Sequence, residues 1–195
     1  MNSITDYKLT SLNINQYSRK NQYLFIIMGV SGSGKTSLAK QLAKHFGFTF
    51  VDADDFHSTA AKEYMAANNP LTDEMRIPWL TNITDYLALL KEQGKSVVLA
   101  YSGLKSAHRD LIRKQPFSCH FFYLHVSKNK LYERIEKRQG HFFSNNLLNS
   151  QLQAMQSPTF VENDIFVING ERCLPLIAED VINFIRLIMW KNKYV

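Results

Sequence analysis

Tyr23-Leu-Phe-Ile-Ile-Met-Gly-Val-Ser-Gly-Ser-Gly-Lys-Thr36 is the stretch that decides the fold of this chain. From Tyr23 to Met28 it is an unbroken apolar run, the composition of a strand buried on both faces of a parallel sheet. From Gly29 to Thr36 it matches G-x-x-x-x-G-K-[ST] at every constrained position. Glycines there let the backbone curl until successive N–H groups point at phosphate oxygens, and the next helix adds the positive end of its dipole. Gly29, Ser31, Gly32, Ser33, Gly34, Lys35, Thr36 and Ser37 are therefore expected to cradle a nucleoside triphosphate. Lys35 reaches the β- and γ-phosphates in this reading, and the Thr36 hydroxyl ligates Mg²⁺.

Outward from the loop, apolar periodicity alternates between strand and helix. A helix is expected from Thr36 to Phe46, with Leu38, Ala39, Leu42 and Ala43 on one face and Gly47 as its stop. Further strands are expected at Phe48–Asp52, Lys95–Ala100, His120–His125 and Asp164–Ile168. Residues Thr59–Gln93 read as helical, interrupted near Asn68-Asn69-Pro70 and strained at Pro78. Helices also follow at Lys105–Lys114, through Leu131, Ile135 and Arg138, and up to Gln156. A closing helix carries Ile177, Val181, Phe184, Ile185 and Ile188 on one stripe. The architecture expected is α/β, a doubly wound five-stranded parallel sheet of the P-loop nucleoside-triphosphate kinase type with a lid near 138–150. Residues 22–195 form one domain in this reading, and residues 1–21, polar and aperiodic, a flexible extension.

A chain of 195 residues suffices for one α/β domain and is short for two. With 45% hydrophobic and 21% charged residues it has the balance of an ordinary soluble protein, and neither a membrane span nor a signal-peptide core is visible. Cys119 and Cys173 lack metal-type spacing and are expected as buried or partly buried thiols in a reducing, cytoplasmic setting. The net charge of +6 suits either nucleic acid or a site that gathers several anions. Basic residues scattered singly, with no run of five, favour the second, so neither nucleic acid nor membrane is expected as a partner.

The loop names the triphosphate but not the reaction. Asn129-Lys130-Leu131-Tyr132 fails the N-K-x-D pattern of a GTPase at its last position, and Val97 to Tyr101 offers no metal-holding Asp of a large ATPase. Instead Asp52-Ala53-Asp54-Asp55 closes the second strand, where the ligand crevice of such a sheet lies. A carboxylate there can hold a Mg²⁺-bound water or take the proton of an acceptor hydroxyl; its plain alternative is a helix cap. A small-molecule kinase fits this layout.

Several stretches in order resemble the gluconokinase family: MGVSGSGKT, DADDFH (52–57), PLTDE (70–74) with Arg76 and Pro78-Trp79-Leu80, and SGLK (102–105) with Arg109-Asp110. Leu131-x-x-Arg134-x-x-x-Arg138, Gly140-His141-Phe142 and Leu147-Leu148-x-Ser150-Gln151 continue it, so the resemblance spans residues 23 to 170. It implies phosphorylation of D-gluconate at its 6-hydroxyl with ATP and Mg²⁺, commonly by a homodimer. It further implies Asp54 as general base and Asp52 as the carboxylate that orients the metal's waters. His57, Arg76, Lys105 and Arg109 would face the sugar acid, Arg134 and Arg138 would neutralise the transferring phosphoryl group, and His141 and Gln151 would stand around lid and acceptor mouth. Trp79 and Leu80 read as core packing.

The chain also departs from that family's pattern. Ala53 stands for a Gly, Ala61 for an Asn, Tyr64 for a Lys and Asn68 for a Gly. Tyr101, Gly103 and Gln156 stand for Cys, Ala and Glu. Losing a Lys and an Asn near the acceptor would strip polar contacts from its pocket, so another small polyol, sugar acid or shikimate-like hydroxyl is the alternative acceptor. A non-catalytic ATP- or nucleic-acid-binding module is the alternative to an enzyme.

Overall fold

The computed structural model describes residues 22–137 and 144–192. Among these residues five strands, β1 (Tyr23–Met28), β2 (Thr49–Asp52), β3 (Val97–Tyr101), β4 (Ser118–His125) and β5 (Ile165–Asn169), form one sheet in the order β2-β3-β1-β4-β5. Every pairing is parallel, with Met28 opposite Tyr101 on one side and Tyr123 on the other. All six residues of β1 are buried, as its uninterrupted apolar run requires of the central strand.

Among the described residues seven α-helices accompany the strands: α1 (Lys35–Phe46), α2 (Thr59–Ala66), α3 (Asp73–Glu92), α4 (Ser106–Arg113), α5 (Lys128–Glu136), α6 (Asn145–Ala154) and α7 (Leu174–Lys191), the last following β5. Alternate residues of β1 sort them into two layers. Phe25 and Ile27 pack with Leu38 and Leu42 of α1 and Val181 and Ile185 of α7. Leu24, Ile26 and Met28 pack on the other face with Leu80, Ile83 and Leu87 of α3. The sheet is thus doubly wound, and the ends of β1, β2 and β3 open onto one crevice.

Local chemistry sets the boundaries. Gly47, in the left-handed region at φ 67°, ends α1. Ser58 caps α2 by accepting from the Ala61 N–H, and Thr72 caps α3 by accepting from Met75 N–H, with Asp73 and Glu74 in its first turn. The expected break between α2 and α3 falls at 67–72, but α3 then runs unbroken through Pro78, which only forgoes one backbone hydrogen bond. β3 begins at Val97 and takes in Tyr101, and β5 begins at Ile165, one residue after Asp164, whose carboxylate accepts from Arg113 Nε at 2.6 Å. Cys119 is partly buried, and burial pushes its thiol up to about 12; Cys173, expected to be buried or partly buried, is exposed. Of the apolar stripe expected on α7, Ile177, Val181 and Ile185 are buried, while Phe184 is 41% exposed. No helix among the described residues is long and apolar enough to cross a membrane.

Candidate active site

The loop between β1 and α1 places Gly29, Gly32 and Gly34 at φ 145°, 83° and 100°, values that L side chains rarely adopt. A Cβ on Gly29 would sit 2.9 Å from Ser33 Oγ and 3.0 Å from the Leu124 carbonyl oxygen, so the strand–loop junction has no room for one. Lys35 Nζ donates to the Val30 carbonyl at 3.1 Å, which holds the ammonium against the loop. The Ser31 N–H is turned to a polar partner, donating to Gln151 Oε1 of α6 at 2.7 Å. Ser33 Oγ is buried and has no hydrogen-bond partner among the described residues. A curled loop with a turned-out N–H, an ammonium and an orphaned hydroxyl suits a polyanionic phosphate chain.

Thr36 Oγ1 donates to Asp52 Oδ2 at 3.0 Å, joining the start of α1 to the end of β2. The other carboxylate oxygen of Asp52 accepts from the Asp54 N–H at 3.2 Å and shapes the 3₁₀ turn Ala53–Phe56. One hydroxyl and one carboxylate side by side are hard oxygen donors of the kind Mg²⁺ takes, so the pair fits the ion expected there.

Beyond the loop lies a cavity of about 540 Å³. It brings together Ser31, Lys35, Asp54, His57, Arg76 and Gln151, residues that are between 3 and 75 positions apart from their nearest neighbour in that set. Trp79 forms part of its wall, and its indole N–H donates to the Ala53 carbonyl at 2.6 Å. The His57 imidazole stacks on that indole at 4.6 Å, with Nδ1 buried and without a hydrogen-bond partner among the described residues. Burial lowers the His57 pKa below its ordinary 6.5; Asp54 opposes the shift, and Lys62 and Arg76 reinforce it.

Other expected residues lie elsewhere. Lys105 is outside the cavity wall, its ammonium paired with Asp73, the same carboxylate that takes Arg76 Nη1 at 2.9 Å. The hydrogen bond from Lys105, with that from Arg76 behind it, holds the Asp73 carboxyl below the usual carboxylate range. Arg109 does not face an acceptor at all. Its side chain is fully buried, with Nε 2.8 Å from Glu162 and Nη1 2.8 Å from the Gly103 carbonyl and 3.1 Å from that of Gln156. A guanidinium engaged through all three of its nitrogens ties α4 to the segment before β5. Arg134 lies against the phosphate loop, with Nη2 2.8 Å from the Gly170 carbonyl and Nη1 3.4 Å from that of Ser33. Arg138 and His141 fall outside the described residues.

The departures from the family pattern are placed differently from expectation. The cavity face of α2 carries Lys62, Met65 and Ala66; Ala61 is buried away from it, and Tyr64 is 39% exposed on the outside. Neither substitution therefore strips the cavity wall. Asn68 holds φ 64°, the left-handed conformation that a Gly adopts freely and Asn tolerates best after it. Gln156 Oε1 accepts from the Ser106 N–H at 2.7 Å and so serves the start of α4 rather than the cavity. Sequence reasoning missed Asp73 as the anchor of Arg76, Trp79 as the donor to Ala53, and Lys62. Asp73 and Trp79 sit within the quoted PLTDE and Pro-Trp-Leu stretches, while Lys62 had no signal beyond its place on α2.

A family described as an AAA domain matches residues 24–159. A probable gluconokinase of Schizosaccharomyces pombe is 33% identical over 191 residues, covering 95% of this chain and 99% of that relative. Two solved structures are similar over most of their length. A sugar kinase from a Janibacter species has a TM-score of 0.80 and 32% identity over 85% of this chain and 95% of that one. A gluconokinase from Sinorhizobium meliloti has a TM-score of 0.78 and 31% identity over 90% of this chain and 98% of that one.

Proposed function

This chain belongs to the gluconokinase family of P-loop carbohydrate kinases, and from that we infer that it transfers the γ-phosphoryl group of ATP to the 6-hydroxyl of D-gluconate. The observation that carries the reading is the shared cavity, in which Lys35 and Ser31 of the phosphate loop meet Asp54, His57 and Arg76.

The phosphate loop and Lys35 hold the triphosphate, and Arg134, against the backbone of that loop, adds positive charge beside it. Thr36 and Asp52 would hold Mg²⁺, which would supply positive charge beside the phosphates during the transfer. The 3₁₀ turn presents Asp54 to the cavity, where its carboxylate takes the proton of the acceptor hydroxyl as the oxygen attacks the γ-phosphorus. The bond to the β-phosphate oxygen breaks, and its electron pair leaves with ADP. Neutral His57 offers the unpartnered Nδ1 to an acceptor hydroxyl, and Arg76, oriented by Asp73, offers the rest of its guanidinium to the acid.

Gln151 reaches the Ser31 N–H and Asn146 Nδ2 donates to the Asn68 carbonyl at 3.1 Å, so α6 bridges the phosphate loop and the acceptor wall. That bridging supports a lid over about 138–150 with Arg138 and His141 on it. Residues 22–195 act as one kinase domain. A homodimer has an apolar surface to use in Leu176, Phe184 and Leu187, exposed along α7, and two free thiols suit the cytoplasm. The test is ADP formation with gluconate as sole acceptor, with the phosphate traced to the terminal hydroxyl.

A further inference from the structure

Three cationic side chains, Lys35, Lys62 and Arg76, line the cavity together with the anionic Asp54 and Asp55. Lys35 belongs to the phosphates, and Arg76 already has Nη1 on Asp73 at 2.9 Å. Lys62 is different. Its one hydrogen bond among the described residues is a 3.4 Å contact from Nζ to the Asp55 carbonyl, and no carboxylate there pairs with it. An ammonium has three donors, so at least two are left for a ligand.

The register of α2 explains why this exposed residue lines the cavity. Ser58 fixes the first turn through the Ala61 N–H at 3.1 Å, and Lys62, Met65 and Ala66, spaced three and four apart, then share the cavity face. The family pattern carries its Lys two positions later, at the place of Tyr64, which here is exposed on the outer face. The charge balance of the wall also turns on Lys62. Without it the two remaining cations would face two carboxylates, and of these only Arg76, already shared with Asp73, would be left to meet an acid.

We propose that Lys62 binds the carboxylate of the acceptor and is the residue by which this enzyme prefers an acid over a neutral polyol. The inference rests on the kinase reading above and adds to it a specificity determinant in this chain's own register. Lys62 touches substrate and takes no part in the proton or phosphoryl transfer.

The experiment compares gluconate with gluconamide, the uncharged amide of the same carbon chain, in the wild type and in Lys62→Met and Lys62→Arg. The expected result is a KM for gluconate raised about 10-fold in Lys62→Met, with kcat, the KM for ATP and the thermal midpoint little changed. Gluconamide kinetics stay the same, and Lys62→Arg recovers most of the loss. An equal loss on acid and amide would assign Lys62 to the structure of the turn, and an unchanged KM for gluconate would remove it from the site; either overturns the proposal. If the wild type ignores gluconate but phosphorylates another hydroxy acid, the gluconate reading fails, and the same comparison on that acid and its amide still decides the role of Lys62.

Discussion

The indole of Trp79 and the imidazole of His57 lie face to face, 4.6 Å apart and 10° from parallel, in the wall of the acceptor cavity. The same indole fastens the Ala53 carbonyl at 2.6 Å, so one side chain sets both the acceptor histidine and the turn that carries Asp54. Trp79→Phe keeps an aromatic face but leaves a buried carbonyl without its donor. We expect a stability loss of about 1–3 kcal/mol by chemical denaturation, with the KM for the acceptor rising more than that for ATP. Equal effects on both substrates would mean that Trp79 only packs.

His57 gives a pH signature. Its folded pKa is lowered by burial, so the unfolded chain binds more protons between that lowered value and 6.5. The contribution to stability is therefore present above about 6.5 and is lost as pH falls through the folded value. NMR titration should place the His57 imidazole below 6.5, and Asp54→Asn should lower it further by removing the charge that opposes the shift. A titration above 6.5 in the wild type would contradict the buried, neutral imidazole assigned here.

Thr36 and Asp52, 3.0 Å apart, give the metal prediction. Asp52→Asn retains shape and loses charge, and the Mg²⁺ concentration for half-maximal activity should rise by about 10-fold or more. The thermal midpoint without nucleotide should move little. An unchanged Mg²⁺ requirement would leave Asp52 as no more than the cap of the turn.

Arg109 separates structure from chemistry. Removing its guanidinium by Arg109→Ala takes the donor from the Gly103 and Gln156 carbonyls and leaves Glu162 with Arg113 alone, at a cost of about 2–4 kcal/mol. The folded fraction, read at low temperature, should retain a near-normal KM for the acceptor. A large, selective rise in that KM would return Arg109 to the sugar acid, against its placement.

The contrast between Lys35 and Arg109 shows what the residues alone reveal. The phosphate loop is a contiguous pattern whose glycines answer a local backbone demand, so Gly29 to Thr36 could be read without the rest of the chain. The parallel sheet was equally plain, because a strand buried on both faces must be apolar throughout. Arg109 depends on Glu162, 53 positions away, and nothing in its own neighbourhood distinguishes a guanidinium facing substrate from one closing a buried ion pair. Its spacing of three from the buried Ile112 was the available hint. Ala61 and Tyr64 failed for a similar reason. Which face of α2 meets the cavity follows from the Ser58 cap and the packing of the helix, and a list of substitutions does not contain that register.

The central claim is that the phosphate loop and the cavity beside it serve one transfer, from ATP to gluconate. It is tested most directly by ADP release from the purified protein with Mg²⁺, ATP and a panel of gluconate, other aldonic acids, polyols, shikimate and nucleosides. Fast turnover with gluconate, one 6-phosphogluconate formed per ADP, and no turnover in Lys35→Ala are expected. ADP release that is indifferent to gluconate, or fast only with a member of another class, would contradict it.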